Sequence, residues 1–159
     1  MDFATLTVGG VLGACLWEGL KLLLATFAKR QQESQEAIRK MLRQDIELII
    51  GLVCEILETS VNYYSTEFTS EKATALSMQI KSKSKTVGLK LSAVNMQLTQ
   101  VGKEGIEVRL WTLLKSTTGK YLDVTRSEIW SSDDARFGEI YKSAHHMHIA
   151  LNKARYANA

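Results

Sequence analysis

The sequence predicts a helix-dominated α+β fold: an N-terminal transmembrane helix and stalk, then a small cytoplasmic domain of long helices with one β-hairpin. Three observations lead to it. The 159 residues contain no proline, so the composition never forces a helix to break. The run from Phe3 to Ala28 carries only two charged residues, and about 20 predominantly apolar residues are enough to cross a bilayer. After Gly105 the apolar residues change from helical spacing to alternation.

The transmembrane helix is predicted over residues 1–28. It lacks the basic start and the small-residue cleavage site of a signal peptide, so we expect the segment to be retained. Gly9 and Gly13 form a small-xxx-small pair, which favours self-association of helices in lipid. Asp2 precedes the run, whereas basic residues follow it, and this asymmetry predicts a single-pass protein of the cell inner membrane with a cytoplasmic C-terminal domain. The basic residues are Lys29, Arg30, Arg39, Lys40 and Arg43.

Glu18 and Lys21 lie inside this apolar run, three residues apart, and are therefore predicted neighbours on one helix face. A charge within a membrane is costly unless it is paired, reaches the headgroups or faces the interior of a bundle. Three interpretations stay open: a shorter span with both groups at the headgroups, a polar ring in an oligomeric bundle that gates the membrane, or a soluble buried helix.

A helical stalk is predicted over residues 29–44, where polar residues with good helix propensity predominate. The predicted cytoplasmic domain covers residues 45–159. It opens with a helix whose apolar stripe faces a core and which ends near Tyr63 to Ser65. The stripe consists of Ile46, Ile49, Val53, Ile56 and Leu57.

A second long helix is predicted after a cap at Thr69 or Ser70, with apolar residues at steps of three and four from Ala73 to Val101. The polar pair Lys83 and Ser84 interrupts this stripe. Whether residues 70–101 form one continuous helix stays open, because Gly88 weakens the helix and the alternation of Leu89, Leu91 and Ala93 suits a strand.

The predicted hairpin begins with a strand that has Ile106, Val108, Leu110 and Leu114 on one side and Glu107, Arg109 and Trp111 on the other. The loop KSTTGK and a second strand in YLDVTRSEIW complete it. A final helix follows a cap within Ser131 to Asp134. Its predicted inward face is Phe137, Ile140, Tyr141, Ala144, Met147, His148 and Leu151.

A ligand site is predicted across the hairpin, because a guanidinium clamps phosphate and an indole stacks on a base. Alternatively, Trp111 belongs to the core or a subunit interface, and the lysines of KSKSK form a solvated helix face. His146 beside Lys142 can also meet an anion. The predicted ligand-binding residues are Arg109, Trp111, Arg126, Lys81, Lys83, Lys85 and His146.

The charge distribution is consistent with an anionic ligand. Between Asp45 and Glu71 there are six acidic residues and no basic one, whereas Lys72 to Arg126 holds ten basic residues against three acidic ones. Such asymmetry indicates either pairing of the two segments or an anionic partner. No catalytic motif is present, Cys15 and Cys54 are far apart, and HHMH lacks an acidic or cysteine ligand at suitable spacing. We expect neither an enzyme, nor a metal site, nor a cofactor.

In overall plan the chain resembles the membrane-anchored effectors of type III CRISPR antiviral systems that bind cyclic tetra-adenylate. The resemblance lies in the apolar run Phe3 to Ala28, the basic flank KRQQESQEAIRK and a compact domain from about Asp45. It implies a symmetric homo-oligomer, such as a tetramer, that holds a cyclic oligoadenylate between subunits, binds no duplex nucleic acid and perturbs the membrane lipid. Two alternatives stay open: a membrane-tethered scaffold that docks a partner protein along Ala73 to Val101, and a holin-like pore toxin without a ligand.

Overall fold

A computed structural model of the chain describes residues 3–67, 70–98, 105–119, 122, 129–131 and 133–157, with side chains from Trp17 onward. These residues form four helices: α1 (Phe3–Tyr64), α2 (Glu71–Asn95), α3 (Ile106–Thr118) and α4 (Ala135–Ala157). No strand occurs within these ranges, so the predicted α+β class is wrong and the fold is all-helical. The chain divides into two compact units, Met1–Lys40 and Met41–Ala159.

The predicted hairpin is wrong because its first strand is helix α3. Ile106, Leu110 and Leu113 recur at helical spacing, and this face turns inward: Ile106 and Leu113 are fully buried. Glu107 in the first turn and Lys115 in the last turn also suit the helix dipole. Of the predicted second strand, only residues 122, 129 and 130 are described, and none of them is in a strand.

The predicted membrane span is also wrong. In the part of the chain that the structure describes, no helix is long and apolar enough to cross a membrane. The charged residues Glu18 and Lys21 interrupt the apolar run, and a charge within a membrane is costly. A single-pass inner-membrane protein is therefore not supported.

The unit Met1–Lys40 consists of the N-terminal part of α1. Its described apolar side chains are exposed, from 49% for Leu20 to 69% for Phe27. The large ones do not form one stripe, since three of them are consecutive; they are Trp17, Leu20, Leu22, Leu23, Leu24, Phe27 and Ile38.

The unit Met41–Ala159 is built around the C-terminal part of α1. Its predicted inward stripe is confirmed for Ile46, Ile49, Val53 and Ile56, each at most 1% exposed, and the predicted end of the helix is confirmed at Tyr64. Apolar residues of all four helices join this stripe in one cluster. The members outside α1 are Val87, Leu91, Val94, Leu98, Ile106, Leu113, Ala144, Met147, Ala150, Leu151 and Ala154.

Helix α2 begins as predicted, because the Ser70 hydroxyl accepts a hydrogen bond from the Ala73 N–H at 3.0 Å. Its regular helical geometry through residues 89–93 excludes the strand alternative, and the helix ends at Asn95. The apolar stripe packs inside the chain's own core, which leaves these side chains covered against an external partner. They are Ala73, Ile80, Val87, Leu91, Val94 and Leu98.

The polar interruption of that stripe is a contact between α1 and α2. Lys83 Nζ lies 3.1 Å from Glu55 Oε2 and donates to Thr59 Oγ1 at 3.3 Å. The lysine is partly buried, with 25% of its side chain exposed. A charged residue thus stands at a stripe position because the facing helix supplies a carboxylate and a hydroxyl.

Further polar contacts join the remaining helices. The Tyr64 hydroxyl donates to the Thr117 carbonyl of α3 at 2.8 Å. The Asn95 amide donates to Glu107 at 2.8 Å, and Arg155 of α4 lies 2.8 Å from Glu47 of α1.

Helix α4 begins after Asp134, whose carboxylate accepts the Arg136 N–H at 2.9 Å. Its buried face includes five of the seven predicted residues, whereas Tyr141 and His148 are exposed. Each of these two follows directly after a buried residue, Ile140 or Met147, and is turned outward by about 100°. Ala150 and Ala154 complete the buried face instead.

Gly105 precedes α3 with φ at 79°, in the left-handed region. We expect Gly105→Ala to lower the free energy of unfolding by about 1–2 kcal/mol, because a Cβ disfavours this conformation. Gly138 is the matched control, since it lies within α4 and a Cβ there would meet nothing within 4 Å. Gly138→Ala should stabilise the protein by about 0.5–1 kcal/mol. Urea unfolding of both variants checks the prediction, and equal changes in their free energies of unfolding would contradict it.

Candidate anion-binding pocket

The structure does not bring the predicted ligand residues of the hairpin together. Arg109 and Trp111 are two positions apart on helix α3, so their side chains leave it about 200° apart. Trp111 is 64% exposed, and Lys115 Nζ lies 5.2 Å from its ring centroid. Arg126 lies outside the described residues.

The predicted lysines and histidine are also dispersed. Lys81 and Lys85 are exposed on α2, whereas Lys83 turns toward α1 to contact Glu55. His146 is exposed on α4, with its ring 6.3 Å from that of His145. None of these groups, nor Arg109, lines either of the two cavities between helices described below.

The predicted gating residues lie in the unit Met1–Lys40. Glu18 and Lys21 are paired at 2.8 Å, and Lys21 Nζ is 5.6 Å from the Trp17 ring centroid. More than half of each charged side chain is exposed, and pairs of this kind contribute little, about 0–1 kcal/mol. Gly9 and Gly13 fall where side chains are not described. A gating or oligomerisation role stays a prediction, now without the span it assumed.

A different group of basic residues lines a pocket between α3 and α4. The cavity has a volume of about 700 Å³, within the usual range for small-ligand sites, roughly 300–1,000 Å³. Lys115, Arg136 and Lys142 supply positive charge, and Glu139 supplies one negative charge. The remaining lining consists of Thr112, Ser116, Gly119, Trp130 and Ser143. The three cationic groups are the donors that an oxyanion requires, whereas the hydroxyls of Thr112, Ser116 and Ser143 already donate to backbone carbonyls of their own helices.

Helical spacing assembles this lining from two short polar stripes. Thr112, Lys115 and Ser116 stand three and four residues apart on α3 and therefore share a face. The same spacing on α4 aligns Arg136, Glu139, Lys142 and Ser143. The sequence prediction does not contain this pocket, because a strand from Ile106 to Leu114 places Lys115 and Ser116 in the following loop. A helix over residues 106–118 places Thr112, Lys115 and Ser116 on one face.

An aromatic stack forms one wall of the pocket. Trp130 is 5% exposed, and its ring lies parallel to Tyr64, with the centroids 4.0 Å apart and an interplanar angle of 4°. The Arg136 guanidinium carbon is 4.0 Å from the Trp130 centroid, and Phe137 contacts the indole edge-on at 5.5 Å. Trp130 therefore holds Arg136 by a cation–π contact, while its stacking with Tyr64 leaves little surface for a base.

Asp134 binds Arg136 from beside the pocket. Its Oδ1 accepts from Arg136 Nε at 2.7 Å, and its Oδ2 pairs with Arg136 Nη2. The side-chain and backbone hydrogen bonds from Arg136 lower the pKa of Asp134 to about 2, so this carboxylate is ionised at neutral pH. With Asp134 and Glu139 set against the three basic residues, one positive charge remains in excess.

A second cavity of about 500 Å³ lies between α2 and α3 and is mainly apolar. Trp111 lines it together with Leu91, Met96, Leu110 and Leu114. Its one charged lining residue is Glu107, which disfavours an anion. The predicted ligand-binding tryptophan thus lines a cavity with one acidic residue, whereas three basic residues line the other pocket.

Within the described residues, no group of three His, Cys, Asp or Glu side chains is placed to hold a metal ion. The pocket between α3 and α4 is the candidate site because three of its lining residues are basic. In comparisons with known proteins, no family model, curated protein or solved structure matches this chain.

Proposed function

We propose that the chain is a helical ligand-binding protein that holds a phosphate-bearing small molecule in the pocket between α3 and α4. One observation carries this proposal: three basic residues, Lys115, Arg136 and Lys142, line a single cavity. Hydrogen bonds from cationic donors to phosphate are about twice as strong as neutral ones, and the planar guanidinium matches phosphate geometry.

The ligand class follows from the lining. The cavity of about 700 Å³ is large enough for a nucleotide, and the Glu139 carboxylate can accept a hydrogen bond from a ribose hydroxyl or an amino group. A cyclic oligoadenylate, the ligand implied by the effector resemblance, belongs to this class. Each of its phosphodiesters carries one negative charge, equal to the single excess positive charge of one pocket. A cyclic oligoadenylate bound between subunits would then place its phosphodiesters in the pockets of several copies of the chain.

Calorimetric titration of the full chain with AMP, inorganic phosphate and cyclic tetra-adenylate tests the proposal. We expect Lys142→Ala to weaken binding of the best ligand at least about tenfold, because a hydrogen bond to a charged group contributes about 1.5–3 kcal/mol. Lys153→Ala is the matched control: it removes the same charge from an exposed position of the same helix, outside the pocket. The control should bind within about twofold of the native chain, because an exposed distant charge is screened.

Two results would contradict the proposal. One is that none of the three compounds binds the native chain. The other is that Lys142→Ala and Lys153→Ala weaken binding equally, which would mean that only the net charge matters. The stoichiometry adds a separate readout, because fewer than one cyclic tetra-adenylate per chain would indicate a ligand shared between subunits.

A further inference from the structure

Arg136 is the central donor of the proposed pocket, and it is already engaged by a carboxylate of the same chain. Asp134 holds it through Nε and Nη2, and the Trp130 ring covers one face of the guanidinium. We propose that Asp134 is a built-in competitor of the ligand for Arg136, so that the pocket selects phosphate groups over carboxylates. This inference rests on the proposed function.

The geometry leaves an incoming anion few ways to reach Arg136. A guanidinium has five N–H donors, and Asp134 uses donors on two of its three nitrogens. An anion in the cavity that contacts this guanidinium must therefore share it with Asp134 or displace Asp134. In either case it comes within a few ångströms of a second negative charge. Only 17% of the Asp134 side chain is exposed, so water screens this repulsion less than it would at the surface.

Because Asp134 already binds Arg136, an incoming anion must bind the pocket more favourably than Asp134 does. A carboxylate that displaces Asp134 exchanges one monoanion for another of the same chemistry, and it gains only the contacts to Lys115 and Lys142. A phosphate offers more acceptor oxygens and, as a monoester, up to about two negative charges, so it can bind both lysines while Arg136 is shared. Selectivity for phosphate thus arises because the weaker ligand already has an internal equivalent.

Replacement of Asp134 tests this inference. Asp134→Asn removes the charge but keeps an N-cap residue of equal preference, so α4 should keep its start. We expect the full chain with this substitution to bind AMP about three- to tenfold more tightly and to gain detectable affinity for acetate. Asp133→Asn is the matched control, because the neighbouring residue is exposed and carries the same charge. It should change AMP binding by less than about twofold.

The outcomes separate this inference from the proposed function. If the native chain binds AMP and the two asparagine variants behave alike, or Asp134→Asn binds more weakly, the inference fails and the proposed function stands. If AMP binds Asp134→Asn but not the native chain, the competition is supported while the proposed function fails for the native chain. If neither chain binds, both are overturned. Thermal unfolding of each variant confirms that the fold is retained.

Discussion

Trp130→Ala is expected to lower the free energy of unfolding by about 3–5 kcal/mol, the range for removing a large aromatic side chain from a core. The indole is 5% exposed, stacks on Tyr64, contacts Phe137 edge-on and lies beneath the Arg136 guanidinium. Its loss leaves a cavity between α1 and α4 and releases Arg136 from its position. Guanidinium chloride unfolding, followed by circular dichroism, measures the change.

Trp111→Ala is the matched control, because it deletes the same side chain from a position that is 64% exposed. Its effect should stay within about 0.5 kcal/mol, as for most surface substitutions. A large loss of stability for Trp111→Ala, or a small one for Trp130→Ala, would contradict the packing of the two tryptophans. Ligand binding adds a second readout, since removal of Trp130 should also weaken AMP binding through the loss of Arg136 placement.

Leu113→Ala is expected to cost about 2–5 kcal/mol, because this α3 side chain is fully buried in the core that all four helices share. Val108→Ala is the informative comparison. In an alternating strand Val108 would face the core, but on α3 it is 69% exposed, so its replacement should cost less than about 0.5 kcal/mol. Denaturant unfolding of both variants decides between the two geometries. A costly Val108→Ala together with a harmless Leu113→Ala would contradict the helix.

Local signals were enough for the parts of the fold that were predicted correctly. The stripe from Ile46 to Ile56 has a clear helical period, and Ser70 stands where a cap is needed, so both helices follow from neighbouring residues alone. The polar interruption at Lys83 was also visible in the sequence. Its reason was not, because Glu55 and Thr59 lie 28 and 24 residues away along the chain.

The segment Ile106 to Leu114 could not be settled from its own residues. Ile106, Leu110 and Leu114 fit both an alternating strand and a helix face. The strand and the helix differ in whether Val108 or Leu113 is buried, and that depends on the helices packed against the segment. The structure buries Leu113 and exposes Val108, and the helix places Lys115 and Lys142 on one cavity while it separates Trp111 from Arg109.

The apolar run at the N-terminus shows the limit of composition as a guide. Hydrophobicity and a basic flank favoured a membrane span, yet no described helix meets the length and apolarity that a span requires. The charged pair Glu18 and Lys21 was the contrary signal within the sequence itself. Lys21 Nζ lies 2.8 Å from Glu18 Oε1, and both side chains are exposed.

The sequence by itself determined the helix over residues 29–64 and its end, the start of α2 after a cap at Thr69 or Ser70, and the excess of basic residues from Lys72 to Arg126. These properties arise from residues three or four positions apart, whose mutual positions a helix dictates. Only the tertiary structure decided which basic residues share a pocket and which tryptophan is buried. Tyr64 and Trp130 are far apart along the chain and stack only because the helices pack together, and the same packing places Lys115 and Lys142 on one cavity.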